Sequence, residues 1–343
     1  MSGSKRIGAS TIRFETAPVF LSWANCGGKM EAQGPLSRYF DLLEEDSFWG
    51  EKTWERAENV MQIRAMEMAL EKAKLSKEDI HLAFGGDLLN QCTGTSFAMR
   101  HWQMPYFGAY TACATMAESL ILAAMSIDGG FAERTSAIAS SHYCTAERQY
   151  RTPMPYGNQR TPTAQWTATA CGCCILGAKG SGPRITHAVP GRIVDLGLND
   201  PNSMGAAMAP AAYETISAYF RDSGETPADF DLILTGDLGR FGSDLLRDLF
   251  AKDGIDMKQN YFDCGVLLYN ISQQDMHCGG SGAGCSAAVL AGYLLNNLAG
   301  GKWRRILFAP TGALLSTTSV FQGESIPGIC HALVIEAAKE GKA

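Results

Sequence analysis

Cys113 is the residue of this chain best placed to do chemistry. It lies in Thr111-Ala-Cys-Ala-Thr115, between a strand-like run at residues 106–110 and a helix-patterned segment whose Met116, Leu120, Ala123 and Ile127 share one face. A thiol at a strand-to-helix bend sits at a helix N-terminus, where unpaired N–H groups and the macrodipole favour an anion. That setting lowers a thiol's pKa toward the nucleophilic thiolate. The competing reading is one more small core residue among eleven cysteines.

Four further groups could join it. His142 directly follows a strand-like run at residues 137–140 and could act as base or donor, or serve as a structural histidine. The loop His277-Cys-Gly-Gly-Ser-Gly-Ala-Gly284, with Gly280 and Ser281 at its centre, enters a second helical segment. Its amides could meet an anion or a carbonyl oxygen, although glycines also serve close helix–strand packing. Asp87 and Asp237 occupy equivalent loops, where each reads first as a turn-tightening residue. Residues 147–163 hold Arg151, Arg160, Tyr150, Tyr156 and three prolines without helical or strand period, the character of a functional or mobile segment.

The elements that position these residues occur twice. Asp79-Ile-His-Leu-Ala-Phe-Gly-Gly-Asp-Leu88 returns as Asp229-Phe-Asp-Leu-Ile-Leu-Thr-Gly-Asp-Leu238, identical at five of ten positions. Ala112-Cys113-Ala114 opens an apolar helix ending at Gly129-Gly130, and Ala283-Gly284-Cys285 opens another ending at Gly300-Gly301. A strand follows each glycine pair. The period is too long for a solenoid, so the pattern predicts a duplicated α/β fold with halves at residues 1–185 and 186–343, and a working site where they meet. Helices are expected over residues 53–75, 96–101, 211–220 and 245–252, and strands over 80–84, 266–271 and 306–309.

Bulk properties narrow the function. A net charge of −6 without a Lys/Arg block argues against nucleic acid. No apolar run reaches membrane-spanning length, and no signal-peptide core follows the first residues, so synthesis in the cytosol is expected. Cys171-Gly-Cys173-Cys174 looks like a metal cluster. It lies in a small-residue strand whose successive side chains face opposite ways, which favours core packing over ligation; no metal is expected.

A cysteine at a strand-to-helix bend in one half, and a glycine-rich loop at the matching place in the other, resembles the thiolase and ketoacyl-synthase superfamily. Longer strings narrow the resemblance: Gly85-Gly-Asp-Leu-Leu-Asn-Gln91, Ser140-Ser-His142, Pro162-Thr-Ala-Gln-Trp-Thr167, Gly205-Ala-Ala-Met-Ala-Pro-Ala-Ala212 and Thr311-Gly-Ala-Leu-Leu-Ser316 look like the stage V sporulation protein AD family of spore-forming bacteria. The resemblance runs from about residue 8 to the C-terminus.

It implies a five-layered αβαβα thiolase-like fold, usually dimeric, that performs no thiolase chemistry. It also implies binding of dipicolinic acid (pyridine-2,6-dicarboxylate) and its loading into the developing spore. The partners would be membrane-embedded SpoVA proteins of the same operon, with this chain peripheral at the spore inner membrane. Condensing relatives carry a histidine after the second repeated strand, where this chain has Gly236 or Asp237; a glycine offers no side-chain donor, and an aspartate would repel developing negative charge. A dipicolinate pocket would draw on Cys113, His142 and the amides of Gly280, Ser281 and Gly282. Arg151 or Arg160 would pair with a carboxylate, and Tyr150 or Tyr156 would cover the ring. Asp87 fits such a dianion if calcium accompanies it or the carboxyl is protonated; no other cofactor is implied. The alternative is an acyltransferase with Cys113 as nucleophile and His142 or His277 as base.

Overall fold

The computed structural model describes residues 5–150, 160–257 and 259–338. In the first half, β1 (Val19–Gly27), β2 (Leu82–Gly86), β3 (Tyr106–Gly108), β4 (Arg134–Ser141) and β5 (Ala170–Gly177) form a mixed sheet in the order β1-β5-β4-β2-β3. In the second, β6 (Arg184–Val189), β7 (Leu232–Gly236), β8 (Tyr261–Asp263), β9 (Arg305–Ala313) and β10 (Ala332–Glu336) take the order β6-β10-β9-β7-β8. The pairings repeat as well. β4, β2 and β3 are parallel with β5 antiparallel to its neighbours, and β9, β7 and β8 are parallel with β10 antiparallel to its own. The two sets touch at the antiparallel pair Val19 and Arg184.

Helices fill three layers around these sheets. α1 (Trp54–Ala73) and α2 (Thr93–Trp102) cover the outer face of the first sheet. α5 (Met204–Ser223) and α6 (Gly239–Lys252) cover the outer face of the second. Between the sheets run α3 (Thr115–Asp128) and α7, which continues from Ala283–Val289 through a π turn at Leu290–Leu294 to Leu295–Ala299; α4 (Tyr143–Tyr150) follows β4.

Strand alternation sorts the core by layer. Ala137 and Ala139 of β4, Leu232 and Leu234 of β7, and Ile306 and Phe308 of β9 face the central helices, while Ile138, Ile233 and Leu307 face the outer ones. Each buried leucine, isoleucine or phenylalanine among them contributes about 1.5–3 kcal/mol. In β5, Cys171 and Cys173 pack in the outer layer and Cys174 in the central one.

One sequence expectation is overturned. Residues 266–271 are not a strand: Cys264–Leu268 is a short helix whose N-cap, Asp263, accepts from the amides of Gly265 and Val266, and the strand lies just before it. A short apolar run fits either state, and the capping aspartate decides it. Residues 147–150, grouped with the irregular segment, are the end of α4.

The first turn of α7 approaches β5 backbone to backbone. A Cβ on Gly284 would lie 2.0 Å from the Ala170 carbonyl oxygen, which the ladder of β5 holds in place. Gly284→Ala is therefore expected to destabilise the fold by about 1–3 kcal/mol, measured as a lower denaturation midpoint. The same change at Gly301, with nothing within 4 Å of the added Cβ, carries only the cost of its left-handed φ of +74°.

Candidate functional site at the seam

The bend before α3 is a single 3₁₀ turn, Ala112–Ala114, with Ala112 in the left-handed region at φ +50°. Thr115 holds it, donating from Oγ1 to the Ala112 carbonyl at 2.7 Å and accepting from the Thr111 amide at 3.2 Å. From the other half, Ser286 Oγ donates to the Cys113 carbonyl at 3.3 Å. The glycine-rich loop is carried to the same place by a two-stranded parallel ladder, Trp166–Thr167 with Gly280–Ser281. Gly282 caps α7 at φ +105°, so close to Ser141 Oγ that a Cβ would lie 2.5 Å from it. Ser141 Oγ in turn donates to the Ala168 carbonyl at 2.7 Å and accepts from the Gly284 amide at 3.1 Å.

The surroundings of Cys113 oppose the thiolate. Burial pushes its thiol well above the usual range, and Asp237 adds to the shift; the Gly282 amide works in the opposite direction without prevailing. Desolvation thus overrides the helix-terminus effect expected from sequence. Asp237 follows β7 at φ +66° and is fully buried with its carboxyl against the thiols of Cys113 and Cys285. Burial first, and Asp263 second, drive it well above the carboxylate range. Its surroundings therefore oppose the charged form of this carboxyl.

The turn-tightening expected of Asp237 is done by Asp263, which accepts from the amides of Leu238 (3.0 Å) and Gly239 (3.1 Å) and from Thr235 Oγ1 (2.9 Å). Burial lifts Asp263 to about 6. Gly236 contributes close packing against Ser286 and Pro310.

In front of Cys113 opens a narrow cleft with about 40 Å³ of free volume. Leu88 from the first half and Met204, Ala313 and Leu315 from the second form apolar walls. Tyr110 and Tyr150 line it with hydroxyls 2.9 Å apart, and the Tyr150 hydroxyl also donates to the Leu88 carbonyl. Thr167, Ser281 and Glu147 supply the remaining polar lining. Among the described residues no lysine, arginine or histidine lines the cleft.

Of the residues singled out from sequence, Cys113 and Ser281 line this cleft, and so does Tyr150; Arg151 and Tyr156 lie outside the described residues. Asp87 is buried elsewhere, accepting from the amides of Leu89 (2.8 Å) and Thr95 (2.7 Å) and from Thr95 Oγ1 (2.6 Å). His142 has both ring nitrogens engaged: Nδ1 accepts from the Cys144 amide at 3.2 Å, which leaves Nε2–H to donate to the Ser47 carbonyl at 2.8 Å. Burial holds its pKa below the usual value. Arg160 pairs with Asp275 at 2.9 Å and lies over the Trp166 ring, and His277 contacts Asp275 and the Thr161 carbonyl. Gly280 stays in its ladder behind Ser281. None of Asp87, His142, Arg160, His277 or Gly280 lines the cleft.

Sequence reading missed a buried polar network beside the site. Glu58 accepts from Ser140 Oγ (2.8 Å) and Thr145 Oγ1 (3.1 Å), and Gln62 Nε2 donates to Ser140 Oγ and Thr95 Oγ1, linking Glu58 to Asp87. Glu58 lies on α1 among charged neighbours, so nothing in its spacing marks it as buried.

Duplicated sheets around two central helices, with a cysteine turn at the seam, define the class as a thiolase-like condensing-enzyme fold. The solved structures agree. Of 3-oxoacyl-[acyl-carrier-protein] synthase III from Aquifex aeolicus, 99% is covered by 93% of this chain at TM-score 0.58 and 14% identity. For cerulenin-bound OleA of Xanthomonas campestris the values are 99% and 98%, with TM-score 0.63 and 13% identity. Those identities speak for the fold alone. The model of the family Stage V sporulation protein AD matches residues 8–336. Stage V sporulation protein AD of Bacillus subtilis strain 168 is 42% identical over 335 residues, 97% of this chain and 98% of that protein. The chain belongs to the stage V sporulation protein AD family, and its role lies in sporulation. Among the described residues no helix is long and apolar enough to cross a membrane.

Two expectations follow. With its thiol held neutral and buried, Cys113 should react with iodoacetamide at pH 8 far more slowly than the half-buried Cys144, read by peptide mass mapping; labelling of Cys113 first would contradict this reading of the site. Glu58 is raised to about 8 by burial and by Asp87. The folded state therefore keeps a proton that the unfolded chain loses near 4.5, and this stabilising contribution is lost as pH rises through about 8. The denaturation midpoint should fall as pH rises from about 4.5 to about 8 and level off above that, and Glu58→Gln should flatten the fall.

Proposed function

We propose that this chain is a non-enzymatic component of the dipicolinate-loading machinery of the developing spore, and that it binds dipicolinate in the seam cleft. The observation that carries this reading is the burial of Cys113. The nucleophile position of a condensing fold is kept at the end of an open cleft, with its thiol neutral and backed by a buried acid. A neutral thiol is a poor nucleophile for acyl transfer. A cleft with apolar walls and a few convergent polar groups suits a flat aromatic acid.

The ring would lie between Leu88 and Leu315, and its carboxylates would meet the tyrosine hydroxyls, Ser281 and Cys113. No cationic side chain among the described residues lines the cleft. The ligand's charge would then be met by a calcium ion carried in with it, or by Arg151, the residue after Tyr150. In the same reading the protein works at the spore inner membrane with membrane-embedded partners of its operon. It does so as a homodimer formed along β3, an exposed end strand whose Phe107 is 56% exposed.

Isothermal titration with dipicolinate, with and without calcium, tests the binding reading. Saturable heat is expected, weakened by Leu315→Trp, whose bulk would fill the cleft. No saturable heat at millimolar ligand under either condition would overturn it. An acyl adduct on Cys113 after incubation with acyl-CoA would favour the acyltransferase instead.

A further inference from the structure

A second concavity lies on the outer layer of the second half. α5 and α6 run side by side there, locked where a Cβ on Gly242 would lie 2.7 Å from the Gly205 carbonyl oxygen and where the Tyr213 and Phe250 rings meet at 5.1 Å. Ala206, Ala209 and Pro210 of α5 line a groove with about 720 Å³ of free volume. Their small side chains leave the space, and Leu245 and Leu249 of α6 border it together with Leu196 and Leu198, from the loop that leads into α5. Leu196 is 68% exposed and Leu198 41%, and Ile193 of the same loop is 58% exposed. A contiguous apolar surface of this kind marks an interaction site.

The loop is held in place. Val194 and Gly328 exchange backbone hydrogen bonds at 2.9 and 2.8 Å, the Ile326 amide donates to the Leu198 carbonyl at 2.7 Å, and Ser325 Oγ donates to Asp195. The groove is therefore preformed, and three of its properties define an occupant. A bound small molecule buries roughly 70–90% of its surface, whereas a groove bordered by leucines this exposed covers only one side of what it holds. The loop backbone at Val194 and Leu198 is already engaged, so contacts come from side chains, which suits the ridge of a helix better than an added strand. Residues 192–200, 206–214 and 244–253 carry six acids and three bases. Two of those bases, Arg192 and Arg247, are paired with Glu214 and Asp244. The surplus, which includes Asp195, Asp200 and Asp248, repels an anionic lipid surface and attracts a basic partner.

We propose that this groove docks an amphipathic helix of a partner protein, apolar on the face it inserts and rich in Lys or Arg along its flanks. The inference rests on the membrane-associated assembly proposed above and names the part of a partner that such an assembly requires, since cytoplasmic segments of membrane proteins carry an excess of Lys and Arg. A second copy joined along β3 leaves the groove free, because β3 ends the strand order on the side of the first half. The loop that borders the groove at Leu198 reaches the seam cleft at Pro201, and α5 opens with Met204, another cleft residue. A helix docked there sits beside the cleft mouth.

Fluorescence anisotropy with two labelled synthetic helices tests the proposal. One carries leucines at i, i+3, i+4 and i+7 with lysines elsewhere, and the other has glutamates in place of the lysines. The lysine helix should bind the wild type saturably, and the glutamate helix should not. Leu196→Ser combined with Leu249→Ser changes no charge and should weaken the lysine helix about tenfold or more. Asp195→Asn combined with Asp248→Asn should weaken it less and flatten its salt dependence. Neither leucine lines the seam cleft, so dipicolinate titration of the leucine variant should match the wild type.

No saturable binding of the lysine helix, equal binding of the glutamate helix, or unchanged affinity in a folded leucine variant would overturn the proposal. If the leucine variant does not fold, the glutamate helix and the aspartate variant decide. Sedimentation of the wild type, but not of the leucine variant, with phosphatidylglycerol vesicles would assign the groove to lipid, and loss of the dimer in that variant would assign it to a second copy; either result overturns the proposal. Helix binding without dipicolinate heat would uphold the groove and overturn the ligand reading, and dipicolinate heat without helix binding would do the reverse.

Discussion

The structure depends on the burial of two helices, α3 and α7, between two sheets, close enough that backbone meets backbone at Gly284 and Ala170. Everything at the seam inherits that dryness. Polar groups there cannot be solvated, so each must find a partner or give up its charge. Asp87 and Asp263 find backbone amides, Ser141 bridges two chain segments, and at Asp237 burial opposes the charge. The helix N-terminus before Cys113 favours a thiolate, and the lack of water opposes it more strongly.

Duplication supplied two versions of one loop, and the halves have used them differently. In the first, Asp87 sits behind its strand and stitches the chain to Leu89 and Thr95. In the second, Asp263 from the neighbouring strand does the stitching, which leaves Asp237 available to face the thiols. Two copies of a Gly-Asp-Leu string thus carry two different aspartates, one structural and one at the cleft's back wall. Cys113 from one half and Gly282 from the other meet because the ladder between Trp166–Thr167 and Gly280–Ser281 crosses the seam.

Much of this was legible in the sequence because repetition and apolar periodicity are local. The repeated strings at Asp79 and Asp229 mark β2 and β7, and the bend at Cys113 follows from its small neighbours. What sequence could not tell is where polar side chains spend their hydrogen bonds. His142 and Arg160 look like free functional groups on a string of letters. In the fold, the Ser47 carbonyl, the Cys144 amide and Asp275 occupy them, partners 95, 2 and 115 residues away. Tyr110 meets Tyr150 across 40 residues, and Asp237 meets Cys113 across the seam, so neither pairing has a signature in spacing. Residues 266–271 were misread for the opposite reason: a single capping side chain, Asp263, outweighs an apolar run that would suit either a strand or a helix.

The strand order has a consequence for how the chain comes to be folded. β5 lies between β1 and β4, so β1, apart from a two-residue pairing of its end with Leu42–Leu43, waits for its full-length partner until β5 has been made. The second sheet repeats the arrangement more severely. Its β6 and β9 are joined by β10, the last strand among the described residues. Each half is thus closed by a strand inserted at its middle rather than added at its edge, and contacts of such long sequence separation form slowly. A chain interrupted shortly before Ala332 would hold nearly all its residues and still leave the inner edges of β6 and β9 unpaired.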